Sequence, residues 1–555
     1  MDDHQRASSR IPRPVVISIV AILLFGWVFL YRFNTLGGAY GGFDNDHFLH
    51  FVHAKQVEAG EQPLRDFLDA GLQGARPSLT YELSAAAQRY LGDNLRSEAL
   101  LTASGMALAA AVTFVAAAVL APWPWALIAV MPSVWLAPKL YGYPKVLVTA
   151  MAAWLIVGTR GLPTWRRTAA MSVCTAAAFL FRNDYAVYCA VGFGALMLVS
   201  TTASWRERVQ RALGYAVITG VLLAPSLWWI QHYRGVGEYV RNALEMSRSE
   251  YRRTQIGWPV FSLDEVRSAM GLFETDTNAA AWLYYLFVAV PVLATGIAVC
   301  QAVRDDQRTG RAAAIIALSL MTMALWYSFL RGNLAGRLGE MGPPVVVLAA
   351  WLLAQATTRQ RPWPHLLLTG PVAIVTLLIS IVCTWHLGSV AGELRSARLL
   401  EPLDLVARTR QAAQDLAAMP RALREAEAGG RMQASDYLYR CTRPSDRVIA
   451  IGYYADVLAF TERLFAAGRA TFVIVYYMDE RYQRETLAAL KSQSVPIVLA
   501  GRELDLHEYR ALADYIHTQY DNHGEVISSQ GPLRVWTRRG LTGTPDGPNG
   551  LPCFG

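Results

Sequence analysis

Charge is scarce in this sequence, and what there is lies unevenly along it. Charged residues make up 17% of the 555 residues, against roughly 25% in an average soluble domain. They are sparse between Ala99 and Leu387 and dense after Glu393. A membrane portion followed by a water-exposed portion explains this segregation better than a uniform soluble globule.

Signatures of several other protein classes are missing as well. The net charge is +8, but no basic stripe with interleaved aromatic residues accompanies it, so nucleic-acid binding is not expected. The six cysteines form no C-x-x-C and no metal-ligand spacing. Only Cys441 and Cys553 lie where an oxidising compartment can reach them, and the sequence does not show whether they pair. The turn Gly452-Tyr-Tyr-Ala differs from G-x-G-x-x-G, which argues against a nucleotide-sugar site there.

Long apolar runs are what the sequence has in abundance. Spanning a bilayer takes about 20 apolar residues, and somewhat fewer where short helices are buried in protein. About eleven spans are predicted, of which the third to fifth are short. Their approximate positions are 15–31, 99–119, 122–138, 144–158, 168–181, 185–201, 212–231, 279–302, 312–330, 341–356 and 365–387.

The arginines between these runs predict the orientation. Short connections that are rich in arginine belong in the cytosol, and four such connections alternate onto the same side as the N-terminus. They contain Arg160, Arg166 and Arg167; Arg206, Arg208 and Arg211; Arg304, Arg308 and Arg311; and Arg359 and Arg361. Together with the alanine- and arginine-rich usage, this pattern predicts a bacterial inner-membrane protein with a periplasmic C-terminal part.

The predicted fold class is a polytopic α-helical membrane protein with a C-terminal soluble α/β domain. The transmembrane module covers 1–387 and carries two long outer loops, 32–98 and 232–278. A helical linker, 388–430, leads to a periplasmic α/β domain at 431–545.

Three buried strands are predicted within the C-terminal domain, at 447–451, 471–476 and 495–499. Helical patterns alternate with them, the clearest from Leu504 to Tyr520. Alternation of strands and helices predicts a mostly parallel sheet.

The first outer loop holds the most informative segment, Gly41-Gly-Phe-Asp44-Asn-Asp46-His47-Phe-Leu-His50-Phe-Val-His53-Ala-Lys55. Asp44 and Asp46 follow the first membrane exit, and a helical pattern begins at once after them. A carboxylate at the membrane boundary meets a lower dielectric than bulk water, which favours a raised pKa and a stronger base. The alternative is that Asp44 or Asp46 only caps the helix.

This segment, with its continuation Gly60-Glu-Gln-Pro63-Leu-Arg65-Asp66-Phe67, resembles the first outer loop of GT-C-fold glycosyltransferases. That group includes the protein O-mannosyltransferases and the lipid A aminoarabinose transferases. The sequence departs from the family pattern at His47, where Glu is usual, and at Leu64, where Tyr is usual. The resemblance implies a GT-C fold with Asp46 as the catalytic carboxylate. It also implies inverting transfer of a sugar from a polyprenyl-phosphate carrier to a glycan, lipid or protein acceptor on the periplasmic side.

A second ionisable pair, Arg182 and Asp184, interrupts two apolar runs. Charges in such positions are costly in lipid and usually mark a site or an ion pair. The resemblance implies that Asp184 assists Asp46 in catalysis. A simple Arg182–Asp184 pair at the membrane interface is the alternative.

Cations for the donor phosphate are available on the same predicted side. Lys145, Arg182, Arg331 and Arg337 are the candidates, and Lys139 lies close by in the sequence. Guanidinium and ammonium groups both suit phosphate, although snorkelling to lipid headgroups explains any one of them equally well.

Three histidines follow Asp46 at intervals of three residues: His47, His50 and His53. On a helix that spacing lets two of them share a divalent metal with Asp46, but not easily all three. The favoured interpretation of His47 and His50 is acceptor binding or an interfacial position, and no cofactor is firmly implied.

Two alternatives stay open at this stage. The loop 232–278 is either an amphipathic helix on the membrane or a segment that closes over the donor lipid. The whole chain is alternatively a transporter, a flippase or a non-catalytic scaffold for lipid-linked glycans, although no clear internal repeat supports a transporter.

Overall fold

The structure is a computed structural model that describes most of the chain. The described residues are 12–36, 42–68, 78–136, 139–159, 161–200, 202–254, 258–262, 271–304, 309–327, 336–357, 363–397, 404–472 and 480–555. Arg331 lies outside them, as does most of the predicted strand 471–476.

The apolar runs all form helices. In chain order the helices up to the end of the last run are α1 (Arg13–Leu36), α2 (Asn45–Glu58), α3 (Leu79–Leu91), α4 (Leu95–Leu120), α5 (Trp123–Trp135), α6 (Tyr143–Val157), α7 (Trp165–Phe181), α8 (Asn183–Val199), α9 (Trp205–Tyr233), α10 (Val236–Thr254), α11 (Gly271–Glu274), α12 (Asp276–Arg304), α13 (Thr309–Tyr327), α14 (Gly342–Thr357) and α15 (Trp363–Leu387). Each of the eleven predicted runs overlaps one helix: α1, α4 to α9, or α12 to α15.

Six helices within the described residues are long and apolar enough to cross a membrane: α1, α4, α9, α12, α13 and α14. The end of α15 and the short α16 (Val390–Ser396) make a seventh such segment, bent by 52°, and α6 and α8 are shorter apolar helices. The chain is therefore a multi-pass membrane protein. The number of eleven spans stays a prediction.

Helices α4 and α14 form the centre of the bundle, since most of each is buried by neighbouring helices. Helix α6 packs closely along α4, and Gly105 of α4 makes this approach possible. A Cβ atom at Gly105 would lie 2.3 Å from the ring of Tyr143. This close packing positions the first turn of α6, which carries Lys145.

The C-terminal part combines short helices with a four-stranded sheet. Its elements are α17 (Leu405–Ala418), α18 (Arg421–Ala426), α19 (Gln433–Cys441), β1 (Ile449–Ile451), α20 (Ala455–Phe460), α21 (Glu480–Ser492), β2 (Ile497–Ala500), α22 (Arg510–Gln519), β3 (Tyr520–Ser528) and β4 (Gly531–Arg538). The strand order is β1-β2-β4-β3.

The expectation of a mostly parallel sheet is wrong. Strands β1 and β2, both predicted, do pair in parallel, but β4 pairs antiparallel with β2 and with β3. The prediction missed the β3–β4 hairpin because β3 is largely solvent-exposed and polar. A search for buried apolar runs does not detect such a strand.

One apolar core joins the first outer loop to the C-terminal part. Phe48 and Phe51 of α2 are buried in the same cluster as Phe460 of α20 and Leu499 of β2. The rings of Phe48 and Phe460 lie 5.3 Å apart between centroids. The C-terminal part is thus packed, through α20, onto the helix that carries Asp46.

The chain end is attached to the same part of the protein. Cys441, at the end of α19, forms a disulfide with Cys553. Backbone hydrogen bonds between Thr544 and Cys553, and from Phe554 to Cys441, hold the terminal segment beside α19.

Candidate active site

Helix α2 begins at Asn45, directly after Asp44, which caps it. The Asp44 side chain accepts a hydrogen bond of 3.0 Å from the backbone N–H of His47. Asp46 lies in the first turn of the helix, where a negative charge is favoured by the helix dipole. Capping therefore accounts for Asp44, and the Asp46 carboxylate is left to other partners.

Asp46 accepts hydrogen bonds from three side chains. Its Oδ2 receives Lys139 Nζ at 2.9 Å and the Tyr141 hydroxyl at 2.8 Å. Its Oδ1 receives the hydroxyl of Tyr453, which belongs to the turn after β1. Lys139 also binds Asp44 Oδ2 at 2.8 Å, so one ammonium group holds both carboxylates.

These partners correct the expectation of a raised pKa. Burial does raise the pKa of Asp46, but the charge of Lys139 and hydrogen bonds from Lys139 and Tyr141 lower it, and the net pKa lies below its ordinary value. The pKa of Lys139 is lowered by burial but raised more by Asp44 and Asp46. Asp46 is therefore an ionised carboxylate at neutral pH.

A second polar cluster is built around Glu340, which lies just before α14. Lys145 Nζ donates to Glu340 Oε1, and both side chains are nearly buried, at 11% and 12% exposed. The Tyr185 hydroxyl donates to Glu340 Oε2 at 3.0 Å. Glu340 thus fixes residues from two different helices, α6 and α8.

Arg182 and Asp184 lie at the break between α7 and α8, and they pair with each other. Arg182 Nε donates to both oxygens of Asp184, at 2.8 and 3.0 Å. Both residues are also close enough to Lys145 to interact electrostatically with it. The pair therefore belongs to the Glu340 cluster, as does Arg337, whose charge acts on Glu340.

Tyr141 connects the two clusters. Lys139 Nζ and Lys145 Nζ lie 5.7 and 5.6 Å from the centroid of its ring. Asp44, Asp46 and Lys139 carry a formal net charge of −1 on one side of this connection. Lys145, Arg182, Arg337, Glu340 and Asp184 carry a formal net charge of +1 on the other. The site therefore has an excess of carboxylates at one end and an excess of cations at the other.

The histidines point in different directions. His47 Nε2 lies 3.8 Å from Glu98 Oε2, away from Asp46 and among the buried side chains of α3 and α4. The ring of His50 stacks on Tyr141 at 5.3 Å. Burial and its neighbours, His47 and His53 first among them, lower the pKa of His50 to about 3, so its ring is neutral. No group of three His, Cys, Asp or Glu in the described part of the chain is placed to hold a metal ion.

The outer loop 232–278 is attached to the C-terminal part through α10. Arg234 binds both oxygens of Glu485 at 2.9 Å, and Arg481 donates to Glu238 at 2.6 Å. On its other side, Asn183 donates to the hydroxyl of Tyr239 at 3.3 Å. Helix α10 therefore lies between α21 and the Arg182–Asp184 pair.

Three site residues were not singled out from the sequence: Tyr141, Glu340 and Tyr453. Glu340 could have been predicted from the sequence, because a carboxylate next to an apolar run is costly in a membrane unless it is paired. Tyr141 lies between the two lysines that were considered. Tyr453 is 407 residues from Asp46 in the chain, and no local pattern connects them.

The bundle, the first outer loop and the C-terminal sheet together share the fold of a solved structure, that of ArnT from Cupriavidus metallidurans. No protein-family profile matches the chain, and no curated protein is detectably similar to it in sequence. The crystal structure of ArnT from Cupriavidus metallidurans bound to undecaprenyl phosphate is similar over 95% of this chain and 98% of that one. The TM-score is 0.50 and the sequence identity 12%. The apo structure of the same protein matches with a TM-score of 0.47 at 11% identity, over 94% and 97% of the two chains. The similarity to the first structure shows a shared fold.

Proposed function

We propose that this protein is an inverting glycosyltransferase that moves a sugar from a polyprenyl-phosphate carrier to a hydroxyl acceptor. The observation that carries the proposal is the ionised Asp46 carboxylate, connected through Tyr141 to a cation-rich cluster. The fold supports it, since the similar ArnT structure is described as bound to undecaprenyl phosphate.

Asp46 is the general base in this reaction. Its carboxylate takes the proton of the acceptor hydroxyl while the acceptor oxygen attacks the anomeric carbon. The bond between that carbon and the phosphate oxygen breaks, and the carrier leaves with the electron pair as polyprenyl phosphate. Attack opposite to the leaving group inverts the anomeric centre.

The cluster around Glu340 stabilises the departing phosphate. A polyprenyl phosphate is already a good leaving group, so the protein needs mainly cations where negative charge develops. Lys145 and Arg182 are the proposed contacts, with Arg337 and Arg331 as further candidates. Glu340 and Asp184 hold Lys145 and Arg182 in place without neutralising the cluster.

We assign Asp184 a positioning role through Arg182 and His50 a role at the acceptor side. His50 is neutral and stacked on Tyr141, so its ring is suited to hydrogen bonding with a sugar or hydroxyl group. No step of the proposed reaction requires a metal ion.

The site is proposed to face the periplasm of a bacterial inner membrane. The disulfide between Cys441 and Cys553 supports this side, because disulfides form and persist in oxidising compartments such as the periplasm. Arg166 and Arg167 lie at the end of α7 opposite to Arg182, where short cytosolic loops are expected to be basic. In this arrangement the membrane module 1–387, the linker 388–430 and the domain 431–545 place the sheet outside the cytosol.

The proposal is tested by replacing Asp46 with Asn in protein reconstituted into lipid. Radiolabelled polyprenyl-phosphate sugars are supplied as donors, and an extract of bacterial envelope lipids, glycans and proteins supplies acceptors. We expect label to leave the carrier with the wild-type protein and about 10²–10⁴-fold more slowly with Asp46→Asn. The matched control is Asp93→Asn, because Asp93 is exposed and pairs only with Lys55 among the described contacts.

Full activity of Asp46→Asn would overturn the assignment of the base. Movement of the labelled lipid between leaflets without consumption, by the wild-type protein, would instead favour a flippase.

A further inference from the structure

The turn after β1 reaches from the C-terminal sheet to the carboxylate of Asp46. It comprises Gly452, Tyr453 and Tyr454, and the Tyr453 hydroxyl donates to Asp46 Oδ1. Gly452 has a φ of 133°, and a Cβ atom there would lie 2.2 Å from the ring of Tyr454. Glycine is therefore required at 452 for the turn to present Tyr453 in this way.

Three further contacts hold the backbone of this turn. Asn45, the residue before Asp46, donates from Nδ2 to the Tyr453 carbonyl at 2.9 Å and accepts from the Asp456 N–H at 3.0 Å. Gln530, between β3 and β4, donates to the same carbonyl at 2.9 Å. Two separate parts of the protein thus fix the position of Tyr453.

The two oxygens of Asp46 differ in how firmly they are occupied. Oδ2 accepts from an ammonium group and a hydroxyl, Lys139 and Tyr141. Oδ1 accepts from one neutral hydroxyl, that of Tyr453. Within the described part of the chain, the other titratable groups beside this carboxylate are His50, which is neutral, and Asp44, which shares Lys139. A hydroxyl group of another molecule therefore displaces Tyr453 from Oδ1 more readily than it displaces Lys139 or Tyr141 from Oδ2.

We infer that the Tyr453 hydroxyl occupies the place of the acceptor hydroxyl at Asp46 Oδ1, and that the acceptor enters by displacing it. The inference rests on the proposed function, since it names the oxygen that takes the acceptor proton. Tyr453 is a positioning residue that acts through Asp46. The C-terminal part then forms one wall of the acceptor path.

Tyr453→Phe tests the inference, with Tyr454→Phe as the matched control. The Tyr454 side chain lies against Gly501 and Glu503 instead of Asp46. Asn45→Ser is a second variant, which loosens the turn but retains the Tyr453 hydroxyl. All variants are made in the full-length protein and checked for monodispersity in detergent.

The first measurement does not depend on turnover. A protonated, accessible carboxyl group gives its proton to a nitrogen of dicyclohexylcarbodiimide and adds through oxygen to its central carbon. Mass spectrometry of the peptide containing Asp44 and Asp46 locates the adduct. Loss of a hydrogen bond to the ionised carboxylate favours its protonated form. At pH values above the midpoint of the labelling curve, Asp46 is therefore expected to be labelled about tenfold faster in Tyr453→Phe than in the wild type. Asn45→Ser is expected to show a smaller increase, and Tyr454→Phe should match the wild type.

The second measurement separates the two substrates. Envelope extract is the acceptor probe. The amount of extract needed for half-maximal transfer should fall about tenfold in Tyr453→Phe, because the acceptor no longer has to displace a hydroxyl. The donor concentration needed for half-maximal transfer should stay unchanged.

Equal labelling of Asp46 in wild type and Tyr453→Phe overturns the inference, as does an unchanged acceptor requirement. A uniform loss of rate at every pH, with a weaker donor interaction, also overturns it by showing a purely structural role. No transfer by the wild-type protein, despite altered labelling, rejects the proposed function and the acceptor role of Tyr453 together.

Discussion

Breaking the ion pair between Lys145 and Glu340 should destabilise the protein more than removing both partners. The two side chains are 11% and 12% exposed. Removing one partner of a fully buried pair costs about 3–5 kcal/mol, because it leaves a charge uncompensated. The slight exposure admits some water, so about 3 kcal/mol is expected for Glu340→Gln, near the lower end of that range. The folding equilibrium constant would fall roughly 150-fold.

The neighbouring residues do not rescue the stranded lysine. Arg182 and Asp184 are already paired with each other, and the neutral amide introduced by Glu340→Gln offers the lysine an acceptor oxygen but no negative charge. Lys145→Met alone should be less harmful, because Glu340 keeps the hydrogen bond from Tyr185 and the nearby charge of Arg337. The double variant Lys145→Met/Glu340→Met should lose only about 1–2 kcal/mol, since apolar replacements of a buried pair are often neutral and the Tyr185 hydroxyl alone is left without its acceptor.

The assay is unfolding of the purified protein by titrating SDS into mild-detergent micelles, followed by circular dichroism. Donor binding is measured in parallel with radiolabelled polyprenyl-phosphate sugar. A stable double variant that no longer binds the donor would show that Lys145 serves the ligand as well as the fold. The reasoning is refuted if the double variant loses as much stability as the two single variants combined.

Two further predictions follow from the site and the chain end. The depressed pKa of Asp46 keeps the carboxylate ionised as pH falls, so the rate of transfer should decline only at a pH below the ordinary range of an aspartate. Lys139→Met removes the charge that lowers this pKa, so the rate of this variant should fall more at acidic than at neutral pH, and equal losses at both would contradict the role of Lys139. The Cys441–Cys553 disulfide spans 112 residues, so replacing both cysteines with Ser should destabilise the C-terminal part by about 2–4 kcal/mol. Limited proteolysis measures this loss. An unchanged rate of cleavage would show that the hydrogen bonds at the chain end hold the terminal segment without the disulfide.

Features that depend on local sequence were predictable. An apolar run of about 20 residues has few alternatives to a helix in a membrane, since lipid offers its backbone no hydrogen-bond partners. Each predicted run accordingly overlaps one helix. The start of α2 was also predictable from the local sequence, since Asp44 provides a cap directly before a helical pattern.

Features that depend on contacts distant in sequence were not predictable. The sign of the Asp46 pKa shift follows from Lys139, 93 residues away, whereas the sequence indicates only that the carboxylate lies near the membrane boundary. The Tyr453 contact is likewise set by how the C-terminal part packs onto α2. The Cys441–Cys553 pairing is set by how the chain end lies beside α19. The Glu340 pairing depends on the approach of α6 to α14, which no single segment encodes.

The core that α2 and α3 share with the C-terminal sheet limits how such proteins can be recombined. A chimera that exchanges only residues 404–555 would place a foreign surface against Phe48, Phe51 and Tyr81, which are buried in that core. It would also remove Tyr453 and Asp456, which form hydrogen bonds with Asn45. The unit that has to be exchanged as a whole is therefore discontinuous in sequence. Residues 42–95 have to be exchanged together with the C-terminal part, although more than 300 residues separate the two segments.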